Sequence, residues 1–225
     1  MKGVFDIIGP IMIGPSSSHT AGAARLGLMA RQILGEKAVK ADILLHGSFA
    51  QTYKGHGTDK ALLGGIMGFQ PDDDRLRDAL FIAQVTGLEY SFKTIDLPEA
   101  HPNTAIFNLT GESGRTATVQ GMSVGGGNIR ICRIGEYKVS LTGQYPSLIV
   151  VHQDKPGVIN QITWILARYH INIGYMKVSR QNRGQEAMMI IETDDALADE
   201  LIEECNGSHG VLQAFAIPKI QGGPI

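Results

Sequence analysis

The run Gly14-Pro15-Ser16-Ser17-Ser18-His19-Thr20 gathers three consecutive hydroxyls beside a histidine. A second run, Gly55-His56-Gly57-Thr58-Asp59, sets another histidine between glycines and follows it with a hydroxyl and a carboxyl. Each lies where a helix is expected to begin. Free backbone N–H groups at a helix start, together with the positive end of the dipole, favour an anion such as a carboxylate or a phosphate. A single serine is enough to cap a helix, so three in a row, followed by His and Thr, exceed what capping needs. Imidazole exchanges protons near neutral pH. The two histidine turns would form one site if both helices start on the same side of a sheet.

The elements that must position these runs are legible around them. From Ala21 to Leu34, Leu26, Met29, Ile33 and Leu34 recur at helical spacing. Lys40 to His46 is a short apolar run bounded by Gly47, which reads as a buried strand. Thr58 or Asp59 is placed to cap a helix over Lys60 to Met67. Asp72-Asp73-Asp74 precedes a helix expected over Arg75 to Val85 and reads as a solvated acidic cap rather than a metal site. From Leu88 onward the texture turns to strands. Gly121-Met122-Ser123-Val124-Gly125 fits a hydrolase nucleophile elbow, which requires a helix after it; here Gly126-Gly127 and another β-like run come next, so a glycine-rich turn is expected.

The chain has 225 residues, 43% hydrophobic and 19% charged, enough to bury a core in one large domain or two ordinary ones. A net charge of -2 gives no basic face for nucleic acid. No apolar run reaches the roughly 18 residues that span a membrane, and no secretory signal is evident before Asp6, so a cytoplasmic protein is expected. That expectation sets aside the glycosylation-like triplets at Asn108 and Asn206. Cys132 and Cys205 have no motif spacing and read as buried thiols. No G-x-G-x-x-G or phosphate-binding loop occurs, and His46, His170 and His209 receive no role.

The pattern breaks near Thr142-Gly143-Gln144-Tyr145-Pro146, giving expected domains of 1–143 and 147–219. In the second, an apolar strand from Ser147 to Gln153, the turn Asp154-Lys155-Pro156-Gly157 and a helix from Val158 to Tyr169 come first. Strands at Ile171 to Ser179 and Glu186 to Glu192, a helix through Glu204 capped by Asp194 or Asp195, and a strand at Val211 to Ile217 complete the order β-α-β-β-α-β. That order is a ferredoxin-like sandwich. The tail Ile220 to Ile225 is expected to be loose.

His152-Gln153-Asp154-Lys155-Pro156-Gly157-Val158-Ile159 and Ile171-Asn172-Ile173 make this domain resemble the ACT domain, a regulatory module that binds amino acids. The likeness to the ACT domain of phosphoglycerate dehydrogenase implies an effector site at His152, Asp154 and Asn172, with an acid at the middle position where that family carries Asn. With the two histidine runs added, the whole chain resembles the β subunit of the bacterial iron–sulfur L-serine dehydratase. The resemblance implies an α+β chain whose first domain is similar to the allosteric substrate-binding domain of phosphoglycerate dehydrogenase. It implies deamination of L-serine to pyruvate and ammonia. It also implies a [4Fe-4S] cluster whose ligands lie on a separate α subunit, with no metal in this chain. Argued beside the likeness from the chemistry of dehydration, Ser16, Ser17, Ser18 and Thr58 are the expected substrate-binding residues, and His19, His56 and Asp59 the expected acid–base or orienting residues. Expected partners are the α subunit, L-serine, a small-molecule effector and a second copy through the ACT domain. A purely regulatory amino-acid-binding subunit is the alternative.

Overall fold

The computed structural model describes residues 11–220. The segment 1–10, where a secretory signal was sought, and 221–225, most of the expected loose tail, lie outside the described residues. The chain separates into two compact units at Gly135/Glu136, earlier than the expected break near residue 143. The strand Tyr137–Leu141 accounts for the difference. It is part of the second unit, where Lys138 C=O accepts a hydrogen bond from Ser179 Oγ at 2.8 Å.

In the first unit, helix α1 (Gly22–Leu34) ends at Gly35, whose φ of 81° suits a residue without Cβ. Its buried face, including Leu26, Met29, Ile33 and Leu34, lies on the sheet. Strand β1 (Ala38–Leu45) is followed by α2 (Gly47–Thr52), α3 (Thr58–Ile66) and α4 (Ala79–Val85). Then come β2 (Glu89–Thr94), β3 (Thr104–Gly111), β4 (Thr116–Gly125) and β5 (Asn128–Ile134). The strands of this unit run in the order β2-β1-β3-β4-β5, with β1 and β2 parallel and the other pairs antiparallel. Helices α1 and α3 approach closely at two glycines. A Cβ on Gly27 would fall on the Leu62 carbonyl oxygen, and one on Gly65 would fall on that of Ala24.

Four sequence expectations are corrected here. Helix α2 is not among the elements expected from the sequence. Helix α3 begins at Thr58 behind Gly57 (φ 68°), so Thr58 and Asp59 lie inside its first turn rather than capping it. The expected helix over Arg75 to Val85 is broken: Asp73 Oδ1 accepts from Arg75 N–H and tightens Asp74–Asp78 into a 3₁₀ turn, and Asp78 leaves helical geometry before α4. The Gly121–Gly125 run is the end of β4, not a turn. Gly121 pairs with Ala105 and Ile131, its missing Cβ making room for Leu26 and Ile131, and the chain reverses at Gly126-Gly127.

The second unit holds β6 (Tyr137–Leu141), β7 (Ser147–Gln153), α5 (Val158–Arg168), β8 (Ile173–Arg180), β9 (Glu186–Thr193), α6 (Asp199–Asn206) and β10 (Val211–Ile217). The sheet order is β10-β7-β9-β8, antiparallel throughout. Leu148, Val150, Met189 and Ile191 from the sheet meet Ile162, Ile165 and Leu166 of α5 and Leu201 and Cys205 of α6 in one apolar core. The β-α-β-β-α-β expectation holds, and the chain has an α+β fold. Helix α6 begins at Asp199, later than expected, and Asp194 does not cap it, its Oδ2 accepting from Asn172 Nδ2 at 2.7 Å.

Candidate functional site

Ser16 opens the first histidine run as an N-cap, its Oγ accepting from His19 N–H at 3.2 Å. The next turn, Ser17–Ala21, is wound as a π-helix before α1 begins, a local widening found often at functional sites. It is tethered nearby, where Ile13 N–H donates to Pro71 C=O at 2.9 Å.

His19 is bracketed by hydroxyls. Its Nδ1 lies 3.1 Å from Ser18 Oγ and 3.4 Å from Ser16 Oγ, and its Nε2 lies 3.0 Å from Ser48 Oγ. The Phe49 ring meets it edge-on at 5.3 Å. Ser48 and Phe49 belong to α2, so the helix missed in the sequence supplies one of the ring's partners. The His56 ring stands 5.1 Å away, centroid to centroid. Burial, and then the charge of His56, hold His19 below the ordinary histidine pKa of 6.5. At neutral pH it is therefore the neutral imidazole, able to accept a proton.

Thr58 and Asp59 are both buried at the start of α3. Thr58 Oγ1 has no partner among the described residues. Asp59 Oδ1 accepts from Lys60 N–H at 2.9 Å. Burial pushes the Asp59 carboxyl up from its ordinary value, against the pull of Lys60 and Lys54. No hydrogen bond joins Asp59 to His56 among those described. The structure thus brings together Ser16, Ser18, His19 and His56, adds Ser48, and places Thr58 and Asp59 in the helix beneath. Beside His56 opens a cavity of about 430 Å³ whose lining includes Thr20, Lys54, His56, Lys60 and Arg77. Its cations were not among the sequence candidates; the glycines around His56, which free the backbone, were the signal for a recess there.

The residues do not fit an iron–sulfur cluster. A cluster needs thiolates. Cys132 Sγ donates to Gln120 C=O at 3.4 Å and burial raises its pKa. Cys205 is fully buried in the core of the second unit, pushed up to about 11 by burial and then by Glu204. Among the described residues no three His, Cys, Asp or Glu side chains converge as a metal would require.

In the second unit, His152 is buried with Nδ1 on Gln153 C=O at 2.8 Å and Nε2 without a partner among the described residues. Asp154 Oδ2 accepts from Gly184 N–H at 2.9 Å and Arg180 Nη1 at 2.8 Å, contacts that hold its carboxyl below the usual range. Asn172 lies at the other end of the sheet. His152 pairs with Ala187, whereas Asn172 bonds Asp194, just past the Thr193 end of β9. Six strand residues separate those ends, about 20 Å. Within one chain the three expected effector residues do not meet.

Known proteins resemble this chain along most of its length. Residues 3–86 match a family model described as the serine dehydratase beta chain, and residues 148–213 match one described as an AHAS small subunit-like ACT domain. The chain is 43% identical over 216 residues to a probable L-serine dehydratase beta chain of Bacillus subtilis, covering 96% of this chain and 98% of that one. It is 37% identical over 198 residues to the L-serine dehydratase beta chain of Peptoniphilus asaccharolyticus, covering 88% and 89%. An L-serine dehydratase of Mycobacterium bovis is 35% identical over 173 residues, which are 66% of this chain but 36% of that protein. No helix among the described residues is long and apolar enough to cross a membrane.

Proposed function

The chain belongs to the serine dehydratase beta chain family, and from that membership we propose that it supplies half of an active site that deaminates L-serine to pyruvate and ammonia. In this reading the other half belongs to an α subunit carrying a [4Fe-4S] cluster, a group that the thiols of this chain do not fit. The Mycobacterium bovis relative supports a shared site, because the part of it that matches this chain is about a third of its length. The observation that carries the reading is the meeting of His19, His56, Ser16, Ser18 and Ser48 from three separate segments.

Serine can lose water only if its α-proton is taken and its β-hydroxyl departs. The hydroxyls of Ser16, Ser17 and Ser18, with Thr58 behind them, orient the substrate carboxylate. Neutral His19 takes or returns a proton at Nε2, the nitrogen that faces Ser48. His56, exposed beside it, is its acid–base or orienting partner, and Asp59 steadies the helix start next to His56. The test is anaerobic turnover of L-serine by the chain mixed with its cysteine-rich partner. The complex is expected to be active and each component alone inactive. Turnover by this chain alone, without iron, sinks the assignment. So does full activity of assembled His19→Ala and His56→Ala complexes.

A regulatory role of the ACT domain is part of the same proposal. Strand β8 is an edge of its sheet and exposes Tyr175 and Met176. Antiparallel pairing of β8 with β8 of a second copy would carry Asn172 of the partner subunit to the Asp154 end, completing an effector site with His152 and Asp154. Tyr175→Pro removes a ladder donor and is expected to halve the particle mass in sedimentation. An unchanged mass rejects this edge as the homo-contact.

A further inference from the structure

The cavity beside His56 has a charge pattern that an amino acid does not match. Lys54, Lys60 and Arg77 line it, and no carboxylate is part of the lining. Two acids stand nearby. Asp59 lies buried behind the wall with Oδ1 on Lys60 N–H, and Asp74 Oδ1 approaches Arg77 Nη2 at 3.8 Å on the exposed side. Counting both against the three cations still leaves one positive charge. An ammonium group placed here would meet three like charges in a recess where water screens them less than it does in bulk. A carboxylate would meet three donors, one of them the planar fork of Arg77.

A second feature points to a ligand. Thr20, 4% exposed, lines the same cavity, and its Oγ1 has no hydrogen-bond partner among the described residues. A buried hydroxyl left unpaired is costly, and a ligand oxygen that reaches Thr20 Oγ1 from the cavity would relieve that cost. The Thr20 side chain lies against Gly14, where a Cβ would collide with it, so the backbone of the first histidine run leaves it room.

We propose that this cavity binds a small 2-oxo or 2-hydroxy monocarboxylate that lacks an ammonium group, with the carboxylate among Lys54, Lys60 and Arg77 and the 2-oxygen at Thr20. The volume, about 430 Å³, accommodates such an acid with water around it. The site adjoins the His19 face across the ring of His56, which touches both. Gly14, Thr20 and His56 belong to the two histidine runs, so the proposal rests on the site read above, while its own basis is charge and burial. An acid of this class is what an ammonia-releasing dehydration of an amino acid leaves behind.

The test uses the full chain alone and reads backbone amide shifts at Gly14, Thr20, Gly55 and Gly57 during titration with pyruvate, propionate, ethanolamine and L-serine. Pyruvate is expected to give saturable shifts, L-serine weaker ones and ethanolamine none. Thr20→Val, nearly the same shape, is expected to weaken pyruvate about fivefold and leave propionate unchanged. The double variant Lys54→Met/Lys60→Met, altered only at exposed positions, is expected to weaken both acids about tenfold or more. Absence of saturable pyruvate shifts, equal shifts with ethanolamine, or pyruvate affinity that survives the lysine changes overturns the proposal. None of these readouts depends on turnover, so failure here leaves the dehydratase reading untouched, and the converse also holds.

Discussion

In the first unit, residues from three segments meet: the Ser16–Thr20 turn, the start of α2 and the loop before α3. In the second unit, three residues picked from one motif pattern part to opposite ends of a sheet. The contrast arises from how each set is carried. His19, Ser48 and His56 lie at or before helix starts, and the α1–α3 contact through Gly27 and Gly65 holds two of those starts side by side. His152 lies near the end of β7 and Asn172 just before β8, strands that run parallel to each other with β9 between them. One is carried to the far end of the sheet and the other enters at its beginning, so no rotamer change brings them together. A single copy can form the first site's half. Within one chain the second set of residues stays apart.

The widest gap between the two regions is expected in catalysis. In the reconstituted complex, His19→Ala and His56→Ala are each expected to lower kcat by about 10² to 10³, the range for loss of a general acid or base. His152→Ala is expected to leave basal turnover within about twofold and alter only the response to an added effector. Steady-state kinetics on the three variants separates the regions. A large basal loss in His152→Ala would move the catalytic role to the second unit.

Next in size is the effect of prying the first unit's helices apart. Gly65→Ala places a Cβ on the Ala24 carbonyl oxygen and 2.7 Å from the Leu28 nitrogen. Overpacking of this kind is expected to cost about 3 kcal/mol, measured by urea unfolding. Leu166→Ala, which opens a cavity in the second core, is expected to cost a similar amount. The two variants differ in their effect on turnover. Gly65→Ala is expected to lose activity along with stability because it displaces the start of α3 relative to His19. Leu166→Ala is expected to keep basal activity wherever it remains folded.

A finer distinction lies in pH. Folded His19 has a lowered pKa, so as pH falls below about 6.5 the unfolded chain takes up its proton first and stability drops. His19→Asn is expected to flatten that slope in a urea-midpoint series near pH 6. Asp59 acts in the opposite sense. Its folded pKa is raised, so as pH climbs past the unfolded value near 3.8 the unfolded chain releases its proton first, and this group's contribution declines. Asp59→Asn keeps an acceptor for Lys60 N–H and is expected to remove the decline. Unaltered slopes in both variants would show that neither burial matters energetically.

The sequence revealed the second unit more fully than the first because its elements obey simple periods. The strand Val211 to Ile217 and the helix from Val158 coincide with β10 and α5 almost residue for residue. The first unit departs from such rules at its site. The π-turn at Ser17–Ala21, the short α2 after Gly47 and the 3₁₀ turn after Asp73 are set by tertiary contacts and side-chain caps that no periodicity encodes. His19 and His56 stood out by composition. Ser48 did not, since one serine after a glycine carries no signal until the fold puts it against an imidazole. The lysines of the cavity were likewise hidden, because exposed Lys is unremarkable until its neighbours are known.

The smallest expected effect belongs to Asp154, the position where this ACT domain has an acid. Its carboxylate ties Gly184 N–H and Arg180 to the end of β7, and so orders the turn Gln181 to Gly184. The folded pKa is depressed, so the stabilisation is present above the unfolded value near 3.8 and is lost as pH falls through the folded one. The group is half-buried and its partner Arg180 is exposed, so screening keeps its effect on global stability small. The local effect is sharper. Asp154→Asn retains an acceptor for Gly184 N–H but removes the charge facing Arg180, and is expected to leave amide exchange at Gly184 nearly unchanged. Asp154→Ala is expected to speed it severalfold, because the N–H then faces water. Equal exchange in both variants and the parent chain would mean that the acid does not hold the turn. Asp154 would then be free to face an effector directly, and the second region would lie closer to a formed site than its single-chain geometry implies.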